Sequence, residues 1–181
     1  MPGDLRRTAR SVAAILLLST PGFAAADEPR TLEWDDLIPD SFSFDDLFEE
    51  TDLDVDIDTL DDDDPRAIEA MEAVREQLDA APVVDTLDGQ HVRLPGFVVP
   101  LEGDRNEVSE FLLVPYFGAC IHVPPPPANQ IVYVTTGEEP ASIRGTFDTV
   151  WVTGTLHTER TRQEKGTAGY TIRAEEVAPY D

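Results

Sequence analysis

The chain has one cysteine, Cys120, which stands two residues before His122, one of only three histidines. On an extended chain, side chains at positions i and i+2 share a face, with Cα atoms about 6.5 Å apart. A thiolate and an imidazole at that spacing suit a zinc or copper ion. His91, His157 or a carboxylate could supply a third ligand, and water the fourth. The sequence therefore predicts a zinc site drawn from Cys120, His122, His91 and His157.

Two other interpretations of the Cys120–His122 pair stay open. In the first, Cys120 is a buried thiol beside a hydrogen-bonded histidine and has no chemical role, and the protein is a purely structural interaction module of the envelope. In the second, the protein is a thiol-dependent enzyme, with His122 as the base and backbone N–H groups of residues 118–119 as an oxyanion hole. The sequence contains no C-x-x-C, G-x-S-x-G or H-E-x-x-H motif and no phosphate-binding glycine loop, which favours a non-enzymatic protein.

A run of four prolines follows the Cys120–His122 pair. Proline has no backbone N–H to donate, so the run predicts a stiff polyproline II segment. This segment is either a rigid connection over one end of the domain, the wall of a pocket, or a ridge on which a partner docks. The side chains of Asn129 and Gln130 are expected to satisfy backbone groups nearby. The candidate docking residues here are Pro124, Pro125, Pro126 and Pro127.

Length and charge exclude several classes of protein. The 181 residues fit one domain, or one domain with a tail. With 37 acidic and 13 basic side chains, the chain has a formal net charge of −24 and would repel a phosphate backbone. We therefore expect no nucleic-acid partner. A single cysteine excludes an internal disulfide framework and a four-cysteine zinc site.

The first 26 residues have the pattern of a secretory signal peptide. Arg6, Arg7 and Arg10 precede an apolar run at residues 11–18, and three alanines at residues 24–26 offer a cleavage site. The apolar run is much shorter than the roughly 20 residues that span a bilayer. We therefore expect a periplasmic protein whose mature chain has no transmembrane segment.

An acidic leader follows at residues 27–64, with eighteen acidic side chains and one basic one. Such a segment repels itself and should be largely extended. Within it, one pattern of aromatic, Asp, Asp, Leu and apolar residue occurs twice, at residues 34–38 and 44–48, and predicts two single helical turns. Isolated turns are unstable, so each should dock on the body of the protein or on a partner. The candidate docking residues are Trp34, Leu37, Ile38, Phe44, Leu47 and Phe48.

A helix is expected at residues 65–80. Asp64 is a good N-cap, and Pro65 suits the first helical position. One face of this helix is apolar and should pack on the domain that follows, at residues 81–181. That face carries Ile68, Met71, Val74 and Leu78.

The remainder of the chain has the alternation that is typical of strands. Gly96 and Gly154 interrupt two otherwise regular strands, as glycines do where a barrel strand bends. We predict a mainly β fold: a small OB-like β-barrel with one N-terminal helix, preceded by the acidic leader. A small β-sandwich is the alternative. The expected strands are residues 83–84, 91–101, 108–114, 130–136, 150–156 and 169–177.

The most distinctive segment is residues 111–134, FLLVPYFGACIHVPPPPANQIVYV. Together with residues 34–39, 94–101, 150–156 and 169–170, it resembles a bacterial exported family known as domain of unknown function 3299, or DUF3299. The resemblance implies a periplasmic accessory or binding protein with no established reaction. Some similar proteins accompany ABC-type transport systems connected with zinc or other metals. The resemblance thus implies an envelope or ABC-type transport protein as the partner.

Overall fold

The computed structural model describes residues 28–43, 64–104, 106–119 and 125–180. The predicted signal peptide, the predicted second aromatic turn and the Cys120–His122 pair are therefore outside the described residues. The predicted positions that the structure does not describe are Phe44, Leu47, Phe48, Cys120, His122 and Pro124.

The described residues form one α-helix, nine strands and three short 3-10 turns. The helix is α1, Pro65–Ala80, and the turns are Trp34–Leu37, Asp85–Leu87 and Ala128–Gln130. The strands are β1 Arg30–Thr31, β2 His91–Gly103, β3 Glu107–Val114, β4 Val132–Thr135, β5 Ala141–Ser142, β6 Thr149–His157, β7 Thr161–Gln163, β8 Gly166–Ala168 and β9 Tyr170–Pro179.

Five strands close into a barrel in the order β2–β3–β4–β9–β6, with β6 returning to β2. The neighbours are antiparallel except for β4 and β9, which run parallel. The short strand β1 extends the sheet in parallel beside β2, and β5 pairs with β3. Strands β7 and β8 form a separate hairpin. The predicted mainly β fold, a small barrel with one N-terminal helix, is confirmed.

Successive side chains along a strand point to opposite faces of the barrel wall, and this separates two apolar clusters. In β2, Val92, Leu94 and Val98 point into the barrel and join its core. On the opposite face, Phe97 and Val99 belong to a second cluster. This outer cluster covers the outside of β2, β3 and β4 and includes Leu112, Val114, Ala119, Ile131 and Ala168. The barrel therefore carries apolar packing on both sides of part of its wall.

The two glycines within strands stand where neighbouring strands approach each other too closely for a side chain. A Cβ on Gly154 would lie 2.2 Å from the carbonyl oxygen of Arg173, and one on Gly96 would lie 2.9 Å from that of Val114. The pairing of β6 with β9 shifts register between Thr153 and Gly154, which is a β-bulge. Bulges increase the local twist and bend of a strand, so Gly154 allows the wall to curve.

The first aromatic turn docks on the chain's own barrel. The Trp34 indole Nε1 donates a hydrogen bond to the Pro95 carbonyl at 2.8 Å, and Gln130 Nε2 donates to the Trp34 carbonyl at 3.0 Å. Leu37 is completely buried in the barrel core. The sequence allowed this turn to dock either on the body of the protein or on a partner, and in the structure it docks on the body. Part of the acidic leader is thus held in place by apolar burial.

The Tyr170 hydroxyl joins three segments at this end of the barrel. It accepts a hydrogen bond from the Val84 backbone N–H at 2.6 Å and donates one to the Leu37 carbonyl at 2.8 Å. Burial raises the pKa of Tyr170 above its usual value, so the hydroxyl keeps the proton that it donates. Val84 was expected in a strand at residues 83–84, and that expectation is wrong. Its N–H bonds this side chain instead of a neighbouring strand.

Helix α1 has the predicted bounds, and the Asp64 side chain caps it by accepting from the Arg66 N–H at 2.9 Å. Its packed side differs from the predicted face, because Ile68 is exposed. The alanines allow the helix backbone to approach β8 and the turn at Ala128–Gln130. The buried positions are Ala67, Ala70, Val74 and Leu78. Among the described residues, no helix has the length and apolar character needed to cross a membrane.

The C-terminus of α1 is stabilised from outside the helix. Its last turn contains no basic residue. Instead, the Arg160 guanidinium, from the connection between β6 and β7, donates to the carbonyls of Asp79 and Ala81, the latter at 2.8 Å. A cation at this end also opposes the negative pole of the helix dipole. Arg160 therefore fixes α1 to the barrel.

Replacing Tyr170 by Phe should destabilise the protein by about 1–3 kcal/mol, because the half-buried Val84 N–H and the buried Leu37 carbonyl lose their partner. Urea unfolding of both proteins measures the difference. Tyr133→Phe is the matched control, since its hydroxyl bonds Glu110 in a half-buried position. The control should lose less than about 1 kcal/mol. An equal loss in the two variants would contradict the assigned role of Tyr170.

Replacing Arg160 by Ala should lower the free energy of unfolding by about 1–2 kcal/mol, because the last carbonyls of α1 lose a charged donor. Thermal unfolding followed by circular dichroism gives the measurement. Arg75→Ala serves as the control, because Arg75 lies on the exposed side of α1. If Arg75→Ala lowers the free energy of unfolding as much as Arg160→Ala does, the interaction of Arg160 with the helix C-terminus does not explain the effect.

Candidate functional site

The two ends of the segment that contains Cys120 and His122 lie against the barrel. On one side, β3 ends at Val114 and Ala119 is buried in the outer cluster. On the other side, Pro126 and Pro127 are buried, and Pro125 is half-buried. The prolines that the structure describes therefore pack on the chain itself, as expected for a rigid connection.

Polar side chains hold the end of this connection in place. The buried Asn129 donates from Nδ2 to the Pro82 carbonyl at 3.0 Å, and the Gly169 N–H donates to the Ala128 carbonyl at 2.7 Å. Gln130 bonds the Trp34 carbonyl. The prediction that Asn129 and Gln130 satisfy nearby backbone groups is confirmed. The start of β4 is consequently fixed to the segments before the barrel.

The predicted third ligands of a metal site lie in two separate histidine–carboxylate pairs. His91 Nε2 lies 3.2 Å from Glu175 Oε2, and His157 Nδ1 lies 3.2 Å from Asp88 Oδ1. Within the described ranges, no group of three or more His, Cys, Asp or Glu side chains is placed to share a metal ion. The zinc site stays a prediction, since it depends on Cys120 and His122.

An aromatic surface that the sequence analysis missed stands just before residue 120. Tyr116 and Phe117 are 53% and 72% exposed. The Phe117 ring meets Phe97 edge-on, with ring centres 6.3 Å apart, and lies 4.9 Å from the Phe147 ring. Aromatic pairs favour such tilted arrangements over a flat stack. These four residues, Tyr116, Phe117, Phe97 and Phe147, are called the aromatic surface below.

Backbone geometry holds the aromatic surface in position. Phe147 has a φ of 61°, a left-handed conformation that is uncommon outside glycine. Its N–H donates to the Val98 carbonyl at 2.7 Å, and the next side chain, Asp148, accepts from the Arg144 N–H at 2.7 Å. Strained conformations persist where the surroundings determine them strongly, and they often occur at functional sites. The Phe147 ring is thus placed against Phe117 by its loop.

Tyr133, at the edge of the outer cluster, is a poor candidate for acid–base chemistry. Its hydroxyl donates to Glu110 Oε2 at 2.5 Å. Burial, and then this carboxylate, raise the pKa of Tyr133 to about 12. A phenol with that pKa remains protonated near neutral pH and acts as a hydrogen-bond donor.

One signal in the sequence pointed to the aromatic surface. Tyr116 and Phe117 directly follow an apolar strand and a proline, and precede Gly118, which adopts a φ of 85°. Two large rings at a turn have no strand position that would bury them. Their contacts with Phe97 and Phe147 depend on loops distant in sequence and could not be read from the local pattern.

Comparison with known proteins agrees with the resemblance. The model of a family described as a protein of unknown function, DUF3299, matches residues 34–179. The fold is similar to the crystal structure of a DUF3299 family protein from Pseudomonas aeruginosa PAO1, with 40% sequence identity and a TM-score of 0.62. The match covers 84% of this chain and 97% of that one. No curated protein matches the chain. The chain belongs to the DUF3299 family.

Proposed function

We propose that this protein is an exported, non-enzymatic accessory protein of the cell envelope, which binds a partner protein through the aromatic surface. The partner is an envelope protein or a component of an ABC-type transport system. The observation that carries this proposal is the exposure of Phe117, 72% of whose surface faces solvent although two other rings hold it in place.

Exposed aromatic rings of this kind suit a binding surface. Covering one Phe side chain contributes about 1.5–3 kcal/mol. Aromatic residues are enriched among the side chains that carry most of the energy of protein interfaces. Because Phe97 and Phe147 already fix the ring of Phe117, binding would lose little side-chain entropy. A small patch of rigid rings therefore favours recognition of a partner.

Features of the sequence support the location. The basic residues, short apolar run and alanines within residues 1–26 have the order of a secretory signal. The acidic composition disfavours a nucleic-acid partner. A protein partner in the envelope agrees with both features.

A double variant, Tyr116→Ser with Phe117→Ser, tests the docking proposal. Affinity capture from envelope extracts, quantified by mass spectrometry, should recover one specific envelope protein with the wild type. The double variant should recover about tenfold less of it, because the apolar contact is lost. Ile68→Ser is the matched control, since Ile68 is an exposed apolar residue on α1. Equal recovery with both variants would overturn the proposal.

The proposal includes a transition-metal component at Cys120 and His122. Wild-type protein should bind zinc about tenfold or more tightly than the Cys120→Ala/His122→Ala double variant, because a thiolate and an imidazole are strong zinc ligands. A competition titration with a chelating dye measures this. His91→Ala and His157→Ala show whether either contributes a third ligand.

Equal zinc affinity in wild type and double variant would remove the metal component and leave the docking proposal intact. Alkylation by iodoacetamide tests the alternative that the protein is a thiol-dependent enzyme. A Cys120 that reacts much faster than a model thiol at neutral pH would favour a thiol-dependent enzyme instead.

A further inference from the structure

A groove of about 550 Å³ lies on the wall formed by β4, β9 and β6, beside Tyr133 at the edge of the outer cluster. Arg173, which borders the groove, stands opposite Thr135 of β4 and Thr155 of β6 in the strand register. Directly opposite residues in a sheet are close neighbours on the same face. The groove thus offers a guanidinium between two hydroxyl-bearing side chains.

Two opposite charges line this groove without meeting. The Arg173 and Glu159 side chains both border it, yet within the described residues neither forms a hydrogen bond or ion pair. Other arginines are paired, for example Arg144 with Asp148 and Arg162 with Asp79. A cation and an anion that border one groove but remain separate can each bind a different end of one ligand.

The other charged groups at the groove are already engaged. Glu175 lies 3.2 Å from His91, and His157 lies 3.2 Å from Asp88. Among the described residues that line the groove, Arg173 and Glu159 are therefore the charged groups that form no ion pair, whereas Glu175 and His157 are paired. With two carboxylates at its border, the groove would repel a ligand that carries only negative charge.

We propose that this groove binds a small zwitterion of the amino-acid or short-peptide class, with its carboxylate on Arg173 and its ammonium group on Glu159. A guanidinium matches a carboxylate with two parallel hydrogen bonds. Grooves of about 300–1,000 Å³ hold ligands of small-molecule size. The groove shares no lining residue with the aromatic surface, so the proposal does not depend on the proposed docking function.

The test is a titration of the ¹⁵N-labelled protein with L-alanyl-L-alanine, followed by amide chemical shifts. Saturable shifts should be confined to residues 133–137, 155–161 and 171–175. The N-acetylated dipeptide, which has no ammonium group, and the C-terminal amide, which has no carboxylate, should each bind about tenfold more weakly. Inorganic phosphate should bind more weakly still.

Substitution of each charged side chain tests its contribution to dipeptide binding. Arg173→Gln and Glu159→Gln should each weaken dipeptide binding about tenfold, whereas Arg75→Gln, on α1, should leave it unchanged. The proposal is overturned if the dipeptide produces no saturable shift at millimolar concentration, or if the shifts map to another face. Equal binding of the blocked dipeptides, or tighter binding of phosphate, would also overturn it.

Discussion

Closure of five strands into one barrel is the constraint on which the rest of this structure depends. The wall closes because β6 bends at Gly154, where any side chain would strike the Arg173 carbonyl, and because β2 passes close to β3 at Gly96. Closure brings β9 between β6 and β4, so residues from distant parts of the sequence share one outer face. It also removes free edges from these strands, which protects against pairing with other chains.

The barrel is joined to the segments that precede it by a few hydrogen bonds between residues distant in sequence. The Tyr170 hydroxyl links β9 to the first aromatic turn and to Val84. Arg160 holds the C-terminus of α1, and Phe42 packs on the same helix. The described start of the acidic leader is attached where Leu32 and Leu37 are buried in the barrel core, since burial of apolar side chains is favourable.

The wall of the barrel has two outer faces of different chemistry. Across β2, β3 and β4 it is apolar and carries the aromatic surface next to residue 120. Across β4, β9 and β6 it is polar and contains the groove with Arg173 and Glu159. Both faces suit recognition: one offers rigid rings, and the other offers separated charges.

Local physical signals determined much of this protein. Asp64 and Pro65 define the start of α1, and alternation of apolar residues identifies the five barrel strands, because capping and face alternation depend on near neighbours. Only the tertiary structure decided which groups meet. His91 and His157 have different carboxylate partners, and Phe117 and Arg173 have neighbours remote in sequence. The reason is that barrel register is a long-range property, set by closure of the whole wall.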